Sequence, residues 1–98
     1  MSDPAPYSAQ SPIALVTGGN QGIGESISRA LATAGATVFV AGRSASRNDT
    51  VAASIQAVGG IAYGIELDVC DVDSVARAFD QAELHAGSPV TWLVNNAG

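Results

Sequence analysis

The stretch Thr17-Gly18-Gly19-Asn20-Gln21-Gly22-Ile23-Gly24 constrains what this chain can fold into more than any other. It follows a short unbroken apolar run, Ile13-Ala14-Leu15-Val16, that ends at Thr17. A run without polar alternation reads as a strand buried on both faces. After the glycines, Ile23, Ile27, Ala30, Leu31 and Ala34 recur at i, i+4, i+7, i+8 and i+11, the apolar stripe of a helix. Gly35 stands where a C-cap glycine would end that helix. Strand, tight glycine turn and helix must therefore follow one another directly.

The same alternation continues. Thr37-Val38-Phe39-Val40-Ala41 is a second β-branched and aromatic run. Val51, Ile55 and Val58 at i, i+4 and i+7 predict a second helix over about Arg47 to Val58, stopped by Gly59-Gly60. Ile61 to Leu67 reads as a third strand, with Gly64 a weak point. Asp71 is placed to cap a third helix with Val72, Val75, Ala76, Phe79 and Ala82 on its apolar face, and Gly87 and Pro89 close it. Val90 to Val94 is a fourth strand. The order β-α-β-α-β-α-β predicts the α/β class: part of a Rossmann-like, doubly wound parallel sheet with right-handed crossovers. Met1 to Pro12 carries three prolines among Ser, Ala and Gln and reads as a disordered leader without the features of a secretory signal. Residues 13–98 then form part of one domain.

Charge removes several function classes. Four Arg, no Lys and nine Asp and Glu give a net charge of −5 over 98 residues. Such a chain lacks the clustered cations that neutralise a phosphate backbone, so no nucleic-acid partner is expected. No apolar run approaches the roughly 18–20 residues that span a bilayer, so no membrane partner is expected. The single cysteine, Cys70, makes neither an internal disulfide nor a cysteine-rich metal site, and it fits a reducing, cytoplasmic location.

The glycine turn admits three readings. Gly19, four residues, Gly24, Glu25 and Ser26 imitate a P-loop, but a carboxylate stands where the phosphate-holding Lys belongs. The spacing of Gly18, Gly22 and Gly24 is Gly-x3-Gly-x-Gly, which differs from the common Gly-x-Gly-x-x-Gly dinucleotide turn. The third reading is a structural turn with no ligand.

Three segments together bear on the choice. Thr17-Gly-x-x-x-Gly-Ile-Gly24 follows the first strand, Asp68-Val69 the third, and Asn95-Asn96-Ala97-Gly98 the fourth. In this order and placement they resemble the markers of the short-chain dehydrogenase/reductase family, over Ile13 to Gly98. The resemblance implies a dinucleotide cofactor. Gly18, Asn20, Gln21, Gly22, Ile23 and Gly24 would line the pyrophosphate and adenosine-ribose turn, with helix N-terminal amides facing anionic oxygens. Asp68 would accept a hydrogen bond from the adenine amino group, with Val69 beside the ring. Asn95, Ala97 and Gly98 would lie near the riboses. Plainer readings stand beside these: Asp68 as a cap of its own loop, and Asn95 as a link between strands.

Cofactor choice turns on the end of the second strand. NAD enzymes place a carboxylate about 20 residues past the glycine turn, for the ribose 2′-hydroxyl. Here Ala41-Gly42-Arg43-Ser44 occupies that place. Gly42 leaves room, Arg43 offers a planar donor fork and Ser44 a hydroxyl, a set suited to a 2′-phosphate. NADP(H) is expected over NAD(H). Gln21 departs from the pattern, since many NADP-preferring relatives carry Lys or Arg there.

The family's chemistry uses a Ser and a Tyr-x-x-x-Lys pair, the Tyr as acid/base and the Lys lowering its pKa. This chain has no Lys, Tyr7 and Tyr63 are followed four residues on by Ser11 and Leu67, and no catalytic residue is assigned. The family would continue for roughly 150 further residues, within one α/β domain. The resemblance thus implies the cofactor-binding N-terminal half of an NADP(H)-dependent reductase. The parent would exchange hydride with a small carbonyl or secondary alcohol, 3-oxoacyl reductase-like, and would form a homo-oligomer. The alternative is a noncatalytic or vestigial nucleotide-binding module, and the chain alone is expected to be inactive. His85 reads as a helix-end cation, Cys70 as a small packed residue, Trp92 as packed on the sheet. Thr91 replaces an Asp common in relatives, which would weaken local hydrogen bonding. The fourth strand would be an open edge, prone to association.

Overall fold

The computed structural model describes residues 12–96. The leader, Ala97 and Gly98 lie outside the described residues, apart from Pro12. Seven elements follow in order: β1 (Ile13–Thr17), α1 (Gly22–Thr33), β2 (Thr37–Gly42), α2 (Ala45–Ala57), β3 (Ile61–Glu66), α3 (Val72–Ala86) and β4 (Trp92–Asn95). The four strands are parallel in the order β3-β2-β1-β4. Sequence neighbours step outward from β1 to β3, and the chain then crosses back to lay β4 on the other side of β1. That reversal opens a crevice at the carboxyl ends of β1 and β4, the place where open α/β sheets bind ligands.

Each sheet face has its own apolar core. On one, Ala14, Val16, Val38 and Val40 pack with Ala32 of α1 and with Val51, Ala52 and Ile55 of α2. On the other, Leu15, Phe39, Ala41 and Ile65 meet Ala78 and Ala82 of α3. All five β1 residues are buried, as a strand without alternation requires.

Several boundaries and faces differ from the sequence pattern. α2 starts at Ala45, two residues before the expected Arg47, because Ser44 caps it by accepting the Arg47 backbone N–H at 3.3 Å. In α1 the buried line is Gly24, Ser28 and Ala32, with Ile27 and Leu31 beside it, and Ile23 is 73% exposed. The apolar stripe is thus offset, because small residues let the helix lie close on the sheet. α3 buries Ala78, which the predicted apolar face did not include, and Ala82, which it did; Val72 is 81% exposed and Ala76 is exposed, so the helix is rotated from the predicted face and meets the sheet through small residues. Its start is as predicted: Asp71 accepts the N–H groups of Asp73 and Ser74 at 3.0 and 3.3 Å.

β4 and β3 are the two edge strands among the described residues, and on β4 Trp92 is 44% exposed rather than packed on the sheet. Thr91 does not weaken the join to β1. Its hydroxyl accepts the Ile13 N–H at 2.9 Å and lies 3.2 Å from the Ile13 carbonyl oxygen, to which it donates. His85 packs its ring on Tyr63 at 4.2 Å between centroids, with Phe39 edge-on at 6.0 Å.

Candidate functional site

All four strand ends open into one recess of about 870 Å³. β1 contributes the turn Gly18–Ile23, β2 the segment Gly42–Ser44, β3 the segment Leu67–Cys70, and β4 contributes Asn96. The parallel sheet brings these segments together because every strand points its carboxyl end the same way.

The glycine turn is shaped by two kinds of constraint. Gly18 and Gly22 hold φ of 65° and 56°, the left-handed region that a side chain disfavours by about 1–2 kcal/mol. At Gly22 the space a Cβ would take is open. Gly24 faces the opposite limit: a Cβ there would overlap the Gly18 carbonyl oxygen and come within 2.6 Å of Asn96 Nδ2. Ser28 braces the turn from below, its buried hydroxyl 3.0 Å from Gly24 O and 3.3 Å from Gly19 O. Glu25, in the position a P-loop Lys would take, pairs with Arg29 at 2.7 Å.

α1 begins without a side-chain cap. Ser44 and Asp71 cap α2 and α3, but the Gln21 side chain turns outward from α1. It accepts Arg47 Nη1 at 2.6 Å. The first-turn amides of α1 thus receive no side-chain cap, and the helix dipole favours negative charge at this end. Asn20 is held from a different direction: its Nδ2 donates to Asn48 Oδ1 at 2.9 Å. Asn48 is fully buried, and its own Nδ2 donates to Gly42 O and Ile65 O, both at 2.9 Å. Gly42 has to be small, since a Cβ there would sit 2.6 Å from Asn20 Nδ2 and 3.1 Å from Asn48 Oδ1.

Arg43 lies exposed at the end of β2, and Ser44 caps the helix behind it. At the end of β3, Asp68 caps its own loop by accepting the Cys70 N–H at 3.0 Å, and Ser74 Oγ accepts the Asp68 N–H at 2.9 Å. Val69 and Cys70 are exposed on the recess wall, so Cys70 is not packed in the interior. At β4, Asn95 Oδ1 accepts the Thr17 hydroxyl at 3.2 Å, and Asn96 donates its N–H to Thr17 Oγ1 at 2.9 Å.

The recess thus gathers Gly18, Asn20, Gln21, Gly22, Ile23, Arg43, Ser44, Asp68 and Val69 from the sequence-derived set. Gly24 lies buried beneath the turn, and Asn95 joins strands without lining the recess. Asn96 and Arg47 line it and were not singled out. Arg47 escaped because its place in the first turn of α2 depends on the Ser44 cap; Ser44 as a preferred N-cap residue was the available signal. Asn48 escaped because a mid-helix Asn carries no pattern of its own. Among the described residues no group of three His, Cys, Asp or Glu could hold a metal ion, and no helix is long and apolar enough to cross a membrane.

A parallel sheet whose strand ends converge on a glycine turn and an uncapped helix start defines a Rossmann-like α/β protein, the class whose open strand ends form ligand crevices. Comparison with known proteins narrows this. The family model for short chain dehydrogenases matches residues 12–98. The 3-oxoacyl-[acyl-carrier-protein] reductase FabG of Pseudomonas aeruginosa is 40% identical over 91 residues, 93% of this chain and 36% of that protein. The reductase MabA of Mycobacterium avium is 43% identical over 84 residues, 86% of this chain and 28% of that protein. A hydroxysteroid dehydrogenase from Escherichia coli superposes with a TM-score of 0.85 at 37% identity, covering 89% of this chain and 37% of that one. A variant actinorhodin polyketide ketoreductase with NADPH gives 0.84 at 38% identity, covering 90% and 33%. The chain belongs to the short-chain dehydrogenase family, a family of oxidoreductases. It spans about a third of the length of these relatives.

Proposed function

We propose that this chain forms the NADP(H)-binding part of a reductase that interconverts a small carbonyl compound and its secondary alcohol. The observation that carries the reading is the convergence of the glycine turn, Arg43 and Asp68 on one recess at the strand ends. A dinucleotide fits these residues on three counts. The start of α1 has no side-chain cap, which leaves amides for a pyrophosphate. The open space at Gly22 lets a ligand approach the backbone. The end of β2 presents Arg43 and no carboxylate, which favours a ribose 2′-phosphate over a 2′-hydroxyl.

In this reading Gly22, Ile23 and Gly24 offer amides to the pyrophosphate, and Arg43 with Ser44 holds the 2′-phosphate. Asp68 keeps one carboxylate oxygen on Cys70 N–H, and its other oxygen is the acceptor for the adenine amino group. Bound in this recess, the cofactor supplies the hydride. The ketoreductase and 3-oxoacyl reductases among the relatives favour a ketone substrate for the parent. The chain has no Lys and no Tyr-x-x-x-Lys, so the acid/base pair of the family is not part of it and hydride transfer by these 98 residues alone is not expected.

Calorimetric titration with NADPH and NADH tests the reading. NADPH is expected to bind at least tenfold more tightly, and Arg43→Ala to remove most of that difference. Equal affinity for the two dinucleotides, or an unchanged preference in Arg43→Ala, would overturn the cofactor assignment.

A further inference from the structure

Arg47 stands at the recess beside Arg43, and its placement is specific. Its backbone N–H closes the Ser44 cap of α2 at 3.3 Å. Its side chain then reaches across the recess mouth, where Nη1 donates to Gln21 Oε1 at 2.6 Å. The contact joins residues 26 apart, from the first turn of α2 to the residue just before α1. Gln21 has no competing duty, since its side chain does not cap α1.

The chemistry of this contact differs from that of the other restrained arginine in α1. Arg29 is neutralised by Glu25 at 2.7 Å. Among the described residues no ion pair uses Arg43 or Arg47. Gln21 is uncharged, so it orients the Arg47 guanidinium without cancelling its charge. A guanidinium carries five N–H donors in a planar fork, and the Gln21 contact occupies one. A long, flexible side chain is thereby arrested with charge and most donors free, on a chain whose net charge is −5. Among the described residues the only carboxylate on the recess wall is Asp68, at the β3 end, where Cys70 N–H already engages one oxygen.

Resting on the NADP(H) reading above, we infer that Arg47, oriented by Gln21, is a second cationic ligand of the ribose 2′-phosphate and a determinant of cofactor preference. Arg43 approaches that phosphate from the end of β2 and Arg47 from the first turn of α2, with the Ser44 hydroxyl between them in sequence. Gln21 brings no charge to the glycine turn itself, and Arg47 delivers one there from the neighbouring helix.

The test is a titration of the full chain and of Arg47→Ala, Gln21→Ala and the double variant with NADPH and, separately, NADH, with a thermal melt of each. Arg47 is exposed, so Arg47→Ala is expected to melt as the parent does. NADPH affinity should fall about tenfold or more, the weight of a charge-assisted contact. NADH affinity should stay within about twofold. Gln21→Ala should show a smaller loss of NADPH affinity and should add little on top of Arg47→Ala because the two act through one contact. Equal losses for both dinucleotides would make Arg47 a brace for the turn and overturn the inference. So would a full NADPH preference in Arg47→Ala. A parent chain that melts cooperatively yet binds neither dinucleotide would instead defeat the cofactor reading itself. A parent that prefers NADPH through Arg43 alone would leave that reading standing and defeat only the role of Arg47.

Discussion

Asn20 and Asn48 share a hydrogen bond of 2.9 Å that ties the glycine turn after β1 to the interior of α2. Asn48 spends its amide hydrogens on the last carbonyl of β2, Gly42, and on Ile65 of β3. One buried amide therefore links the glycine turn, the end of β2 and the body of β3.

Removing it should be costly. Asn48→Ala leaves two buried carbonyls without this donor and Asn20 without its acceptor, which is expected to cost about 2–4 kcal/mol. Asn48→Asp keeps an acceptor for Asn20 but sets a carboxylate oxygen against Gly42 O and Ile65 O, so it should cost at least as much. Urea unfolding of the three proteins measures both. An Asn48→Asp chain as stable as the parent would contradict this account of the site.

Gly22 and Gly24 should respond differently to the same substitution. Gly22→Ala meets no neighbour but must hold φ of 56°, a penalty of about 1–2 kcal/mol. Gly24→Ala drives a methyl into the Gly18 carbonyl and must move the turn, so its larger effect should include loss of dinucleotide binding. Paired melts with and without NADPH separate the two. Equal behaviour of the variants would show that close approach at Gly24 does not shape the turn.

Thr91 joins β4 to β1 through both its accepting and donating capacity at Ile13. Thr91→Val keeps the shape and loses both, with an expected loss of about 1–2 kcal/mol. Thr91→Ser should restore most of it. If valine proves neutral in chemical denaturation, water at this strand edge replaces the hydroxyl.

Cys70 is exposed on the recess wall, two residues beyond Asp68. A colorimetric thiol reagent is expected to modify it in the folded chain without denaturant. Saturating NADPH should slow that reaction severalfold. A rate untouched by NADPH, in a sample shown to bind it, would place the adenine end of the ligand elsewhere.

The parts legible in the sequence are those set by local physics. β1 showed as an apolar run because a strand covered on both faces has no reason to alternate, and Asp71 announced the start of α3 through its own hydrogen bonds. The glycine turn was readable because a backbone that must take positive φ at Gly18 and Gly22 selects glycine. The family markers were likewise short and continuous.

What the chain order alone left open was decided by contacts between distant residues. Whether the apolar arc of α3 meets the sheet at Val72 or at Ala78 depends on how closely the helix lies on Phe39 and Ile65, not on its periodicity. Asn48 became a site-building residue only when α2 laid it over Gly42. Arg47 reached the recess only once Ser44 had set the start of that helix and Gln21 stood 26 positions away to receive it. Local propensity acts over a few residues, whereas packing and side-chain hydrogen bonds are settled by whichever partners the folded chain brings within about 3 Å.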